Sequence, residues 1–124
     1  MKKKESESNE RRSDCPISCS LELIGDRWSL LIIRDMLFRD KCRYNEFLNS
    51  AEGISTNILS DRLVMLEVRG LITYSGEGKR KSYKLTKMGK DLKPIIKAIG
   101  LFGMNHFKGS REYFENQALA HVRD

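Results

Sequence analysis

The sequence predicts a mainly α-helical domain that carries one small β-hairpin, and three observations lead to this fold class. Apolar residues recur at intervals of three and four in several long segments, which is the period of a helix. Residues 71–74, LITY, and 82–86, SYKLT, are typical of two strands, and the segment SGEGKRK between them has the glycines of a hairpin tip. With 124 residues the chain has room for one domain with a modest core.

The chain is expected to begin with a mobile, charged arm over residues 1–14, MKKKESESNERRSD. No apolar signal core follows this arm, which favours a cytoplasmic protein. A first helix comes next: Pro16 suits its first turn, and Gly25 is expected to end it in a left-handed backbone conformation. Asp26 can cap a second helix, RWSLLIIRDMLFRD, whose apolar positions are too many for one stripe and predict a place at the centre of the core.

The segment CRYNEFLNSAEG, residues 42–53, predicts a brief helix after a short extended piece. The extended piece comprises Arg43 and Tyr44, and the helix is expected to be capped near Asn45 with Phe47 facing inward. Gly53 then separates this helix from the next one.

A longer helix from Ser55 to Arg69 is predicted to have one apolar and one polar face. Ser55 is a good N-cap, and leucines at helical spacing (Leu59, Leu63 and Leu66) point to the core. Short hydrogen-bonding side chains crowd the first two turns of the other side. These side chains are Thr56, Asn57, Ser60 and Asp61. Val64 and Val68 follow on the same outer side and are expected either to meet the apolar parts of a ligand or to pack on a further element.

The predicted hairpin follows Gly70, which supplies the stop of this helix. Its tip is cationic because it contains Lys79, Arg80 and Lys81. From Thr86 one last long helix is predicted, apolar most of the way around, which is more apolar surface than a small domain can cover. Among its apolar residues are Ile95, Ile99, Phe102 and Phe107. Residues 109–124 are expected to form an irregular or helical tail.

Composition limits the partners of the chain. It carries 23 Lys and Arg against 17 Asp and Glu, a net charge of +6, which favours an anionic partner such as nucleic acid. The longest aliphatic run, residues 30–33, is far shorter than the roughly 20 residues that a transmembrane helix needs. The sequence therefore predicts no membrane span.

The cysteines indicate neither a disulfide framework nor a metal site. Cys15, Cys19 and Cys42 have no framework spacing and are consistent with reduced thiols. The CxxxC pair has only His106 and His121 as additional zinc ligands, so no metal is expected. The sequence also contains no glycine-rich phosphate loop and no nucleophile elbow, so it predicts no cofactor and no enzyme.

Two helices joined by a tight turn, followed by a hairpin with a cationic tip, match the winged helix-turn-helix pattern. In that pattern the second helix enters the major groove of DNA, where Asn, Ser and Thr meet base donors and acceptors, and cations of the wing neutralise phosphates. The DNA-binding candidates are Arg43, Ser55, Thr56, Asn57, Ser60, Asp61, Arg62, Lys79, Arg80 and Lys81. A polar face and a basic loop are also common on solvated surfaces, and the same fold can bind a protein instead.

Three segments carry a family resemblance. CPISCSLELIGDRWSLLIIRDML, RYNEFLNSAEGISTNILSDRLVMLEVRGLI and YKLTKMGKDL resemble the HxlR-type winged-helix transcriptional regulators, which are related to the MarR regulators. The match runs from Cys15 to about Phe107, so we divide the chain into an arm (1–14), a winged-helix and dimerisation domain (15–108) and a tail (109–124).

The resemblance implies a prokaryotic, homodimeric regulator that binds a pseudo-palindromic DNA operator. It places the recognition helix at residues 55–69, the wing around residues 79–81, and the dimer interface on the terminal helices, with Ile95, Ile99, Phe102 and Phe107 as candidates. It also makes Cys15 a candidate sensor of oxidants or electrophiles, because several family members use a cysteine at this position.

Two alternatives remain open at this level. Cys15 lies near the start of a helix, where the helix dipole favours a thiolate, but a structural cysteine that caps the helix fits the sequence equally well. A small-molecule effector between the dimer helix and the winged domain is the other alternative. Trp28, Phe102 and Phe107 could line such a pocket, but packing in the core is the commoner use of aromatic residues.

Overall fold

A computed structural model of the protein describes residues 11–116, and in this range the chain forms seven α-helices, a 3-10 turn and a two-stranded antiparallel sheet. The elements in chain order are α1 (Pro16–Ile24), α2 (Ser29–Phe38), α3 (Tyr44–Leu48), α4 (Thr56–Val68), β1 (Ile72–Ser75), the 3-10 turn (Gly78–Arg80), β2 (Ser82–Leu85), α5 (Lys87–Lys90), α6 (Lys93–His106) and α7 (Ser110–Glu115). Residues 1–10 of the expected arm and 117–124 of the expected tail lie outside the described residues.

The core forms around α2 and α4, as the sequence predicted. Ile32 and Ile33 of α2 are buried, and the three leucines of α4 at helical spacing (Leu59, Leu63 and Leu66) are buried with them. Burial of each such side chain stabilises the fold by about 1.5–3 kcal/mol. Because its leucines are fixed in the core, α4 must present its opposite side to solvent.

The hairpin confirms the two predicted strands to within a residue at each end. Ile72 pairs with Leu85 and Ser75 with Ser82. The segment before α3 lies beside β2, since the backbone N–H of Tyr83 donates to the carbonyl oxygen of Cys42 at 2.8 Å. The hairpin is therefore anchored to the helix-turn-helix and does not project alone.

Two expectations about helix ends are corrected. Gly25 ends α1 with φ −81°, a right-handed conformation; glycine fits there because a Cβ would lie 2.3 Å from the carbonyl oxygen of Leu21. Helix α3 begins at Tyr44, not near Asn45. Its start is fixed by Glu46, whose carboxylate accepts the backbone N–H groups of residues 42 and 43 at 2.8 and 3.0 Å.

The predicted long helix after Thr86 is in fact two helices. Thr86 caps the short α5, its Oγ1 accepting the N–H of Gly89 at 3.1 Å. The longer α6 starts only at Lys93. Pro94 explains the break, because proline has no N–H for the carbonyl four residues earlier and its ring clashes with that carbonyl.

The segment after α6 packs against the domain. Helix α7 contributes Phe114, which is buried in a second apolar cluster with Phe38 of α2 and Met104 of α6. Helices α2, α6 and α7 therefore pack together around this second cluster.

Candidate nucleic-acid interface

The outer side of α4 is exposed and polar in its first two turns. Thr56, Asn57, Ser60 and Asp61 are all exposed. Ser55 caps the helix, since its Oγ accepts the backbone N–H of Ile58 at 3.2 Å. Val64 and Val68 lie further along at the surface, 60% and 77% exposed, so they do not pack into the core.

A groove of about 710 Å³ separates the outer side of α4 from the wing. Its walls come from α3, α4 and the hairpin, and they bring together residues that are distant in sequence. Four of the predicted DNA-binding residues line it: Arg43, Ser60, Lys79 and Lys81. Cations thus face the polar side of the helix across one concave surface.

The three cations of the wing tip differ in their surroundings. Lys79 and Arg80 are exposed on the 3-10 turn. Lys81 is half-buried, and its Nζ lies 4.5 Å from the centre of the Tyr74 ring. Such a cation–π contact holds the ammonium in place. Lys79 and Arg80 can therefore reorient toward a ligand more easily than Lys81.

Tyr44 is a functional candidate that the sequence analysis missed. Its hydroxyl donates to the carbonyl oxygen of Thr56 at 3.2 Å and lies 3.1 Å from Oγ of Ser60. The first residue of α3 thus fixes the start of α4 and orients a hydroxyl on its outer side. The sequence signal was a tyrosine at the start of the short helix, and only the packing of α3 on α4 gives it this role.

Arg62, also predicted to bind DNA, is directed to the inner flank of α4. It is half-buried, its Nε donates to Oδ2 of Asp26 at 3.0 Å, and its Nη1 pairs with Asp61. Asp26 also accepts the backbone N–H groups of Trp28 and Ser29 at 2.9 and 3.0 Å. Burial alone would raise the pKa of Asp26, but hydrogen bonds from Ser29, Trp28 and Arg62 lower it to about 2. One carboxylate therefore links the turn before α2 to α4.

Two more arginines hold the ends of α4. Arg69 donates from Nη1 to the carbonyl oxygen of Leu23 in α1 at 2.9 Å. Arg34 of α2 donates from Nη1 and Nη2 to the two carboxylate oxygens of Glu52, each at 2.9 Å. The hydrogen bonds from Arg34 lower the pKa of Glu52. Since Glu52 lies just before the N-cap of α4, this helix is attached to α2 near its start and to α1 at its end.

The predicted dimer surface is exposed within one chain. Ile95, Ile99, Phe102 and Phe107 are 40%, 52%, 60% and 63% exposed. An apolar groove of about 450 Å³ runs between α1 and α6, and Ile95 and Ile99 line it. Apolar surface of this kind marks an interaction site.

Cys15 occupies the N-cap position of α1 and is exposed. Its thiol makes no capping hydrogen bond, while its carbonyl oxygen accepts the backbone N–H of Cys19 at 2.9 Å. Its backbone N–H donates to Oγ of Ser13 at 3.2 Å. Cys15, Cys19 and Cys42 form no disulfide.

Within residues 11–116, no group of three or more His, Cys, Asp and Glu residues is placed to hold a metal ion. His121, one of the two candidate zinc ligands, lies outside that range. The described helices are all too short or too polar to cross a membrane.

Two relatives of this chain are HTH-type transcriptional regulators. The chain is 34% identical over 92 residues to the HTH-type transcriptional regulator sll1512 of Synechocystis, a match that covers 72% of this chain and 67% of that protein. It is 38% identical over 87 residues to the HTH-type transcriptional regulator MT3179 of Mycobacterium tuberculosis, covering 68% of this chain and 54% of that protein. The matched region thus spans about half of the mycobacterial relative.

Solved structures agree with these relatives. A MarR-family transcriptional regulator from Porphyromonas gingivalis W83 superposes with a TM-score of 0.69 at 34% identity, covering 76% of this chain and 94% of that one. The redox regulator HypR in its oxidized form superposes with a TM-score of 0.64 at 27% identity, covering 74% and 97%. These neighbours confirm the predicted winged helix-turn-helix.

The sequence model of the HxlR-like helix-turn-helix matches residues 23–111, which include both helices of the motif and the wing. The relatives of this chain are transcriptional regulators and not enzymes, in agreement with the sequence prediction. The chain therefore belongs to the HxlR-like helix-turn-helix family of transcriptional regulators.

Proposed function

We propose that the protein binds a pseudo-palindromic DNA operator as a homodimer, with α4 in the major groove and the wing on the phosphate backbone. The observation that carries this proposal is the groove between α4 and the hairpin, where an exposed polar helix face and cations of the wing meet. Asn57, Ser60 and Thr56 present groups that can pair with base edges. Lys79, Arg80 and Arg43 provide the positive charge that phosphates require.

The exposed apolar surface of α1 and α6 supports the dimer. In a two-fold dimer this surface packs against the same surface of the partner chain. The two copies of α4 then bind half-sites that lie about 34–36 Å apart, or a multiple of one helical turn. This geometry requires a target with approximate two-fold symmetry.

Selection from random duplex DNA tests the proposal directly. The expected result is one enriched motif with inverted half-sites, and a binding constant that falls steeply as salt rises. An unenriched pool would contradict sequence-specific recognition. Absence of salt-dependent binding to any duplex would favour the alternative use of α4 as a surface for protein partners.

We further propose that Cys15 makes the regulator responsive to oxidants or electrophiles. The observation in its favour is an exposed thiol at the N-terminus of α1, next to the apolar groove between α1 and α6 and without a capping bond. Modification there would change how α1 meets the partner chain. The structural likeness to the redox regulator HypR is compatible with this role.

Operator binding across a titration with diamide, a thiol oxidant, tests the role of Cys15. The wild type is expected to change its affinity while Cys15→Ser does not, and Cys19→Ser serves as the matched control that keeps the response. Equal responses of the wild type and Cys15→Ser would exclude Cys15 as the sensor.

A further inference from the structure

A cavity of about 240 Å³ lies between α2, α6 and α7. Its walls are mainly apolar and include Leu30, Phe38, Ile96 and Phe114. A cavity of about 150 Å³ with such walls is known to stay dry and bind benzene, whereas drug-sized ligands need about 300 Å³ or more. The space therefore suits a molecule of one or two rings. Trp28, Phe102 and Phe107, the pocket residues considered from sequence, are not part of it.

Two glycines of α6 keep this cavity open. Gly100 and Gly103 both line it. A Cβ added at Gly100 would lie 3.8 Å from the ring of Phe114, which is ordinary van der Waals contact. Alanine would thus fit there and would favour the helix, because glycine is destabilising within a helix. The chain gives up helix stability at positions where a side chain would reduce the cavity.

Arg34 supplies the charged part of the wall and connects the cavity to α4. The residue is only 9% exposed, and its guanidinium holds Glu52 through two hydrogen bonds and Asp35 at 2.8 Å. Its charge is therefore already matched by two carboxylates, and an anion entering the cavity would have to displace one of them while losing its own hydration. These surroundings favour an uncharged ligand.

We propose that the cavity binds an uncharged, largely apolar molecule of one or two rings, and that this ligand acts on α4 by shifting Arg34 and with it Glu52. The first half depends only on the cavity. The second half rests on the proposed DNA-binding function, because Glu52 precedes Ser55, the N-cap of the recognition helix. A displacement of Arg34 would alter where the helix begins and how it meets the groove.

Methyl NMR of the wild-type protein labelled with ¹³C at methionine methyl groups tests the first half without DNA. Met104 lines the cavity, whereas Met88 lies exposed on α5 and serves as the internal control. Addition of 2-naphthol should shift the Met104 signal in a saturable way and leave Met88 unchanged. The anion 2-naphthoate should bind at least about tenfold more weakly than 2-naphthol, because its unpaired charge would be buried in the cavity. Unmoved Met104, equal shifts at both methionines, or equal binding of the two probes would overturn the proposal.

Operator affinity with and without 2-naphthol tests the second half. The wild type should change its affinity by about fivefold or more, as couplings between sites commonly do. Glu52→Gln should still show the Met104 shift but lose the change in affinity. Gly100→Leu fills the cavity and favours the helix, so this variant should bind the operator normally. On addition of 2-naphthol it should show neither the Met104 shift nor the change in operator affinity. An intact change in affinity in Glu52→Gln would overturn the route through Arg34, and an intact response of Gly100→Leu would overturn the cavity as the binding site. If the unliganded wild type binds no operator, the proposed function fails while the NMR result still decides whether the cavity is a site.

Discussion

Arg62 of the recognition helix donates to Asp26 of the preceding turn at 3.0 Å, although it was predicted to face DNA. The same carboxylate accepts two backbone N–H groups at the start of α2. Asp26 therefore fixes α4 relative to α2, and the orientation of the DNA-binding surface depends on a contact made on its inner flank.

The first prediction concerns the pH dependence of this link. The pKa of Asp26 is lowered from 3.8 to about 2 in the folded protein, so folding favours its ionised form. Its contribution to stability is complete above about pH 5 and is lost as the pH falls from about 4 toward 2. Urea unfolding of the wild type and Asp26→Asn should show a stability difference that is constant near neutrality and shrinks in that acidic range.

Asp91→Asn is the matched control for this measurement, because Asp91 is an exposed carboxylate paired only with the exposed Lys87. It should leave the free energy of unfolding nearly unchanged, as surface pairs usually do. A stability difference for Asp26→Asn that does not vary with pH would contradict the role assigned to the carboxylate.

The second prediction concerns the wing. The double variant Lys79→Ala/Arg80→Ala should weaken binding to all duplexes alike and should reduce the slope of log K against log salt by about 0.9 for each lost phosphate contact. Lys81→Ala should have a smaller effect on the slope, since its ammonium rests on Tyr74. Lys108→Ala, beyond the end of α6, serves as the control. An unchanged slope in the double variant would remove the wing tip from the interface.

The third prediction concerns base recognition by α4. Asn57→Ala should relax the preference for one or two base pairs at a cost of about 1–3 kcal/mol if a bidentate contact is lost. Tyr44→Phe removes the hydroxyl next to Ser60 and should alter the preference at the position that Ser60 reads. Selection profiles of the variants against the wild type measure both effects. A loss of affinity spread evenly over all sequences would contradict these roles.

The fourth prediction concerns the dimer. Phe102→Asp places a charge on the exposed apolar face of α6 and should dissociate the dimer, because an unpaired charge is costly in a buried seam. Sedimentation velocity measures the change, and circular dichroism checks that the monomer stays folded. Val68→Asp, also exposed but on α4, should remain dimeric. An unaltered, folded Phe102→Asp dimer would place the interface elsewhere.

The sequence alone was enough for the elements that are determined by neighbours within a few residues. The cap at Ser55, the buried leucines of α4 and the glycine-rich hairpin all depend on local spacing, and each was predicted correctly. The break at Pro94 was equally local, and the prediction of one long helix was wrong because that proline was not weighed against the apolar pattern. Gly25 ends α1 as predicted, but for a steric reason, because a Cβ there would meet the carbonyl oxygen of Leu21 in the same helix.

Only the tertiary structure decided which way the long polar side chains point. Arg62 could reach either flank of α4, and the choice is made by Asp26, which is distant in sequence but adjacent in space. The hydrogen bond between Tyr44 and Ser60 and the ion pair between Arg34 and Glu52 likewise join separate elements. Helical period determines which face a residue occupies, but partner contacts across the fold determine what its terminal atoms bind. The cavity between α2, α6 and α7 arises in the same way, because its volume depends on how three helices pack and not on any one of them.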